Sequence, residues 1–134
     1  MDKLKKDKLV LYWLKSARLD LESAKEIANN TNRYTSALFF LHLAIEKSLK
    51  AKFVALYSEY APYSHNLLHL ASKIPLNWSE QQAVLASEIN EFNLESRYPD
   101  DLFSLEKKAS KEFCLKYLKS GEELYLWISA QSNI

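Results

Sequence analysis

The sequence predicts an all-α protein, a single five-helix bundle of three long and two short helices. Three observations carry that expectation. The chain of 134 residues contains one glycine and three prolines. An all-β sandwich or barrel needs a turn roughly every 8–12 residues, usually built on Gly or Asn-Gly, so this composition argues against one. Apolar residues recur at threes and fours over long stretches, the period of one helix face. Apolar residues make up 48% and charged residues 26% of the chain, which suits a packed globular domain and not a disordered tail. The length fits one domain over 1–134, because two would have cores too small to hold.

Val10, Leu14, Ala17, Leu21, Ala24 and Ala28 line one face of a first helix over about 7–29. The run Asn29-Asn30-Thr31-Asn32 ends it and is expected to cap the next. A second helix, about 34–58, is apolar on every side from Ala37 to Ile45. Such a helix is either central or covered by a partner chain. Its second half, with Glu46, Lys47, Lys50 and Lys52, looks amphipathic, and the segment Tyr57 to Tyr63 with Pro62 breaks it. Ser64 is expected to cap a short third helix carrying Leu67, Ala71 and Ile74. Ser79 with Gln82 three residues on is a capping box, opening a fourth helix with Leu85, Ile89 and Phe92. Asn93 to Ser104 is expected to be a polar loop, of a length that often carries function. The last helix, about 105–130, places Ala109, Phe113, Tyr117, Gly121, Leu124 and Ile128 on one stripe. Gly121 costs helix stability relative to Ala, so a close helix–helix approach is expected there.

Charge and cysteine narrow the function classes. Eighteen Lys and Arg against 17 Asp and Glu give a net charge of +1. A protein that wraps duplex nucleic acid normally carries a basic excess, so that role is disfavoured. The lone Cys114 has no internal disulfide partner and no activating neighbour, and reads as a packed thiol. A reducing cytoplasm fits. The apolar run Leu9 to Leu14 is shorter than a signal core, and no stretch has the length of a membrane span. With one glycine there is no phosphate-binding glycine loop.

Two polar groupings remain. His42, Glu46 and Lys50 are spaced by four and share a stripe of the second helix. They form either a self-satisfied polar seam or an anion site built on Lys50. Arg97-Tyr98-Pro99-Asp100 places one of only three arginines in the long loop. Its guanidinium fork suits phosphate or carboxylate; the alternative is a loop staple to Glu46, Glu91 or Asp100. His65 and His69 have metal-compatible spacing but no legible third ligand, so no metal is expected. Lys50, His65 and Arg97 are expected to converge on one ligand-binding cleft, supported by Glu46 and Tyr98. No catalytic residue is assigned.

The sequence also resembles a known family. Trp13, Ala17, Asp20-Leu21 and Ala24 look like the opening of a HEPN domain. Tyr34-x-x-Ala37 and His42-x-Ala44-x-Glu46-Lys47-x-Leu49-Lys50-Ala51 resemble its second helix. Ser64-His65-Asn66-Leu67 resembles its Thr-His-Asp-Leu segment, and Arg97-Tyr98-Pro99 its Arg-Tyr-Pro loop. The resemblance spans about residues 8–128. It implies a helical bundle that dimerises, of the stand-alone prokaryotic type often encoded beside a minimal nucleotidyltransferase in a toxin–antitoxin-like pair. Ribonuclease members of the family carry an Arg followed, after four to six residues, by a His. Here Arg33 and His42 have eight residues between them and no His follows Arg97. The resemblance therefore implies a non-catalytic, cytoplasmic interaction and nucleotide-binding module. It would act as a homodimer partnering a nucleotidyltransferase, with no cofactor and no membrane. The alternative is a metal-independent endoribonuclease toxin, RNA its substrate, with a displaced site using Arg97 and His65 or His42.

Overall fold

The computed structural model describes residues 1–130; residues 131–134, the end of the domain range read from the sequence, lie outside the described residues. Six helices follow one another: α1 (Lys3–Asn30), α2 (Tyr34–Tyr57), α3 (Leu67–Ser72), α4 (Glu80–Asn90), α5 (Pro99–Lys108) and α6 (Lys111–Ala130). Among the described residues there is no strand. The all-α expectation holds, with one helix more than the five read from the sequence.

Local chemistry sets the boundaries. Asp2 accepts the Lys5 N–H at 2.8 Å, so α1 starts at Lys3, earlier than the apolar stripe alone suggests. Thr31 closes it: its backbone N–H and its hydroxyl both donate to the Ile27 carbonyl. The polar run after α1 does not cap α2 as expected. Arg33 occupies that cap position with no side-chain hydrogen bond, and Thr31 Oγ1 accepts the Arg33 N–H at 3.0 Å. α2 stops at Ser58, which takes a left-handed backbone (φ 54°) and donates its N–H to Val54. At α3 the cap is Asn66, not Ser64: Asn66 Oδ1 accepts from Leu68 and His69, while Ser64 Oγ accepts the Asn66 N–H at 3.1 Å. The Ser79–Gln82 capping box forms in both directions, at 3.1 and 2.9 Å.

α5 begins inside the stretch read as a loop, Asn93 to Ser104, and takes in the first residues of the helix read over about 105–130. Pro99 is its first residue, Asp100 and Asp101 sit in its first turn, and Lys107 and Lys108 in its last. That is the order the helix dipole favours. Ala109 and Ser110 then separate it from α6. Ser110 Oγ accepts the Phe113 N–H at 3.1 Å, so one expected helix becomes two.

α2 is the centre of the bundle, packed between α1 and α6, with α3, α4 and α5 closing the remaining side. Thirteen of its 24 residues are buried. Its all-round apolar surface is thus covered largely within one chain, the central position that was one of the two alternatives for such a helix. Ala17, Ala24 and Ala28 of α1 are buried and let the two backbones approach. Lys47 ties the pair together by reaching Asp20 at 2.7 Å and Ser16 at 2.8 Å. On the α6 side a Cβ built on Gly121 would lie 2.6 Å from Leu41 Cδ1, so the close approach expected from the glycine is present.

Candidate functional site

Glu46, on the buried face of α2, is the hub of a polar cluster inside the bundle. Its Oε2 accepts from Lys50 Nζ at 3.0 Å and its Oε1 accepts from His65 Nδ1 at 3.0 Å. Glu46 is 2% and Lys50 6% exposed. The Lys50 ammonium also lies 5.2 Å from the centre of the Trp13 ring, a cation–π contact from α1. One turn before Glu46, His42 is fully buried, and its Nε2 donates to the His65 backbone carbonyl at 3.0 Å. Its other ring nitrogen faces Glu46 Oε1 at 3.8 Å, too far for a hydrogen bond. Burial lowers the His42 pKa to about 4, the nearby Glu46 carboxylate opposing the shift. His42 is therefore a neutral imidazole at neutral pH. α2 grips His65 twice, by the backbone through His42 and by the ring through Glu46. The His65 side chain itself is 51% exposed.

His65 stands at the wall of a polar cleft of about 510 Å³. The opposite wall comes from the segment between α4 and α5 and from the start of α5, with Glu91, Arg97, Tyr98 and Asp101. Arg97 Nη1 donates to Glu91 Oε2 at 2.8 Å, and the Glu91 side chain is largely exposed. Three asparagines complete the lining: Asn66, Asn90 and Asn93. Each has its Oδ1 engaged by a backbone N–H: Asn66 by Leu68 and His69, Asn90 by Leu67, Asn93 by Glu95. What these side chains still offer is their amide N–H groups. With the Arg97 guanidinium they give the lining donors for a ligand's oxygen atoms, set beside the carboxylates of Glu91 and Asp101.

The structure thus brings His65, Arg97 and Tyr98 to one cleft, with Glu46 directly behind His65. It does not bring Lys50 there. The Lys50 ammonium is turned inward onto Glu46 and Trp13, which corrects the expectation that it meets a ligand beside Arg97. The expected amphipathic second half of α2 is corrected in the same way, since Glu46, Lys50 and Lys52 are all buried. Of the staples open to Arg97, the structure forms the one to Glu91. His65 and His69 do not share a helix face, because His65 precedes the α3 cap. Among the described residues no group of three His, Cys, Asp or Glu side chains could hold a metal ion. Cys114 is buried on α6, and burial raises its thiol pKa to about 11. Sequence reasoning missed the three asparagines and Asp101. Their only signal was position near helix ends, where capping is the commoner role.

A second cleft of about 410 Å³ adjoins the first through shared Glu91, Arg97 and Asp101. It is floored by the edge-to-face aromatics Phe92, Phe113 and Tyr117. Tyr117 donates its hydroxyl to Glu88, and burial, reinforced by that bond, raises its pKa to about 12. Among the described residues no helix is long and apolar enough to cross a membrane.

Two solved structures share this architecture. The crystal structure of TT1696 from Thermus thermophilus superposes with a TM-score of 0.74 at 19% identity, over 92% of this chain and 98% of that one. ST0689, described as an archaeal HEPN homologue, gives a TM-score of 0.71 at 22% identity, over 91% and 96%. Among proteins of curated function, none matches the sequence. The sequence profile of the HEPN domain matches residues 10–131. That match covers α1 to α6 almost entirely, together with the cleft they frame, and the chain belongs to the HEPN domain family.

Proposed function

We propose that this HEPN domain is a non-catalytic interaction module that binds a nucleotide in the His65–Arg97–Tyr98 cleft. The observation that carries the reading is the set of donors in the lining. One guanidinium and three asparagine amides with their carbonyl oxygens already engaged face a space of nucleotide size. The Tyr98 ring is largely exposed beside Arg97 and can stack on a base. Glu91 is the group the ligand displaces, and its exposure lets it swing into solvent. The homodimer and the nucleotidyltransferase partner belong to this proposal through the family resemblance. Light scattering showing only a monomer at micromolar concentration would remove the homodimer.

The test is calorimetry with ATP and GTP beside thermal melts of wild type and Arg97→Ala. The Arg97 side chain is mostly buried, but its partner Glu91 is largely exposed, so water screens the pair, which is worth on the order of 1 kcal/mol. We expect Arg97→Ala to keep the fold within about 1 kcal/mol of wild type and to lose nucleotide binding. No heat with either nucleotide, together with a large drop in melting temperature, would make the cleft structural.

One observation favours a second reading. His65 and Arg97 line the same cleft, and a carboxylate holds the His65 ring as in a general-base dyad. RNA cleavage by purified protein that disappears in both His65→Ala and Arg97→Ala would replace the non-catalytic reading with the ribonuclease.

A further inference from the structure

The lining of the cleft is not electrically suited to an anion as it stands. Two carboxylates, Glu91 and Asp101, line it against one guanidinium, Arg97. Behind it Glu46 and Lys50 pair with each other and cancel. With His65 neutral, an incoming phosphate meets a lining with an excess of negative charge, which disfavours it. His65 is the lining side chain of a type that gains a charge near neutral pH.

The internal geometry fixes where that charge would appear. His65 Nδ1 is turned to the Glu46 carboxylate at 3.0 Å and carries the hydrogen of that bond. An added proton therefore goes to Nε2, on the other side of a half-exposed ring at the cleft wall. The imidazolium would then donate at both nitrogens, to Glu46 inside and to the ligand outside. The protein buries a glutamate, a histidine and a lysine in α2 to hold this one ring. Replacing such buried ionic groups by apolar side chains is often neutral or stabilising, so they are weak evidence for a purely structural role. The charged or titratable groups facing His65 are Glu46, Lys50 and His42 from α2, Tyr63 beside its ring, and Glu91, Arg97, Tyr98 and Asp101 in the cleft. His42 stays neutral through this range, its pKa held near 4.

We infer that the cleft takes an anionic phosphate ligand together with a proton, that His65 Nε2 is the atom that receives it, and that Glu46 is the positioning residue behind it. This rests on the nucleotide reading above. The ligand class becomes a phosphate bound by Arg97 and a protonated His65 jointly, with Glu91 as the internal competitor for Arg97.

The experiment is titration calorimetry of the full chain with ATP between about pH 6 and about pH 8, repeated in two buffers of unlike protonation heat. Affinity should rise as pH falls, by at most about tenfold per pH unit for one linked proton. Wild type should take up more protons per ATP than His65→Gln, in which the pH dependence from the protein is lost. The ATP γ-phosphate contributes alike to both proteins, so their difference counts the proton at His65. If His65→Gln does not fold, His65→Asn serves the same comparison. Glu91→Gln should tighten binding at every pH and leave the slope unchanged. Equal proton counts in wild type and variant, or affinity that rises with pH, overturn the inference and leave the nucleotide reading standing. Absence of ATP binding at every pH overturns both.

Discussion

His42 and Lys52 show how far single buried side chains set the behaviour of this fold. An unfolded imidazole titrates near its ordinary value of 6.5, whereas burial lowers folded His42 to about 4. The unfolded chain therefore binds the extra proton first as pH falls. The stabilising contribution is complete above about pH 6.5 and is lost progressively down to about pH 4, a change of about 3 kcal/mol. We expect urea midpoints of wild type to fall across that window and those of His42→Gln to fall less, since an amide can still donate to the His65 carbonyl. Identical slopes for both proteins would show that other groups govern the acid limb. Lys52 is 2% exposed, and its ammonium has no hydrogen-bond partner among the described residues. Burial lowers its pKa. A sealed, unpaired donor costs about 1–3 kcal/mol, so Lys52→Met should raise the melting temperature; a fall would mean that the ammonium has a partner. Lys52 was not legible as buried, whereas for His42 a self-satisfied polar seam was one of two readings the spacing left open. Charged residues at helical spacing look alike whether the face they mark is wet or enclosed, and burial of the α2 stripe depends on α1, α3 and α6 closing over it.

At the scale of elements, the α2–α6 contact is set by one missing methyl group. Gly121→Ala gains about 1 kcal/mol of helix propensity. It also places a Cβ 2.6 Å from Leu41 Cδ1, in a core with no exposure at Leu41, and overpacking of this kind costs about 1–3 kcal/mol. We expect a net loss of stability. Adding Leu41→Ala should restore room, so that the double variant is less unstable than the two single losses summed. Strict additivity in denaturant melts would place the Gly121 effect elsewhere. This contact was readable because a lone glycine inside a strong apolar stripe weakens its helix unless a neighbouring helix needs the space. α5 was less readable, although its signals were present: Pro99, two acids, then two lysines at the far end. They were outweighed by the shortness of its apolar face, Leu102, Phe103 and Leu105, of which only Leu105 is buried. The cleft followed the same division. Ser64-His65 and Arg97-Tyr98 stood out as local strings, and their meeting was inferable from the chain's path. The inward turn of Lys50 was not, because it depends on Trp13 lying across from it on another helix.

The whole molecule divides into a tightly packed frame and a lightly attached rim. α1, α2 and α6 make the most extensive contacts, and α2 supplies more buried side chains than any other helix. α3 has six residues, and α5 touches α2 only slightly through a face with one buried residue. The candidate cleft lies where that rim meets the frame: His65 is tied to α2, while Arg97, Tyr98 and Asp101 belong to the start of α5 and the turn before it. Local opening takes place where few apolar contacts hold the backbone. We therefore expect hydrogen exchange to be slowest in α2, limited by global unfolding, and much faster over Pro99–Lys108 through opening of α5 alone. A ligand that bridges His65 and Arg97 binds the closed rim and not the opened one. It should slow exchange in α5 by a factor of about 1 + [L]/Kd, with little effect on the α1 amides remote from the cleft. The same measurement on Arg97→Ala should show fast α5 exchange with and without ATP. Exchange in α5 as slow as in α2 would show that the rim is part of the frame. Protection by ATP spread evenly over all six helices would place the ligand's grip elsewhere than between α2 and α5.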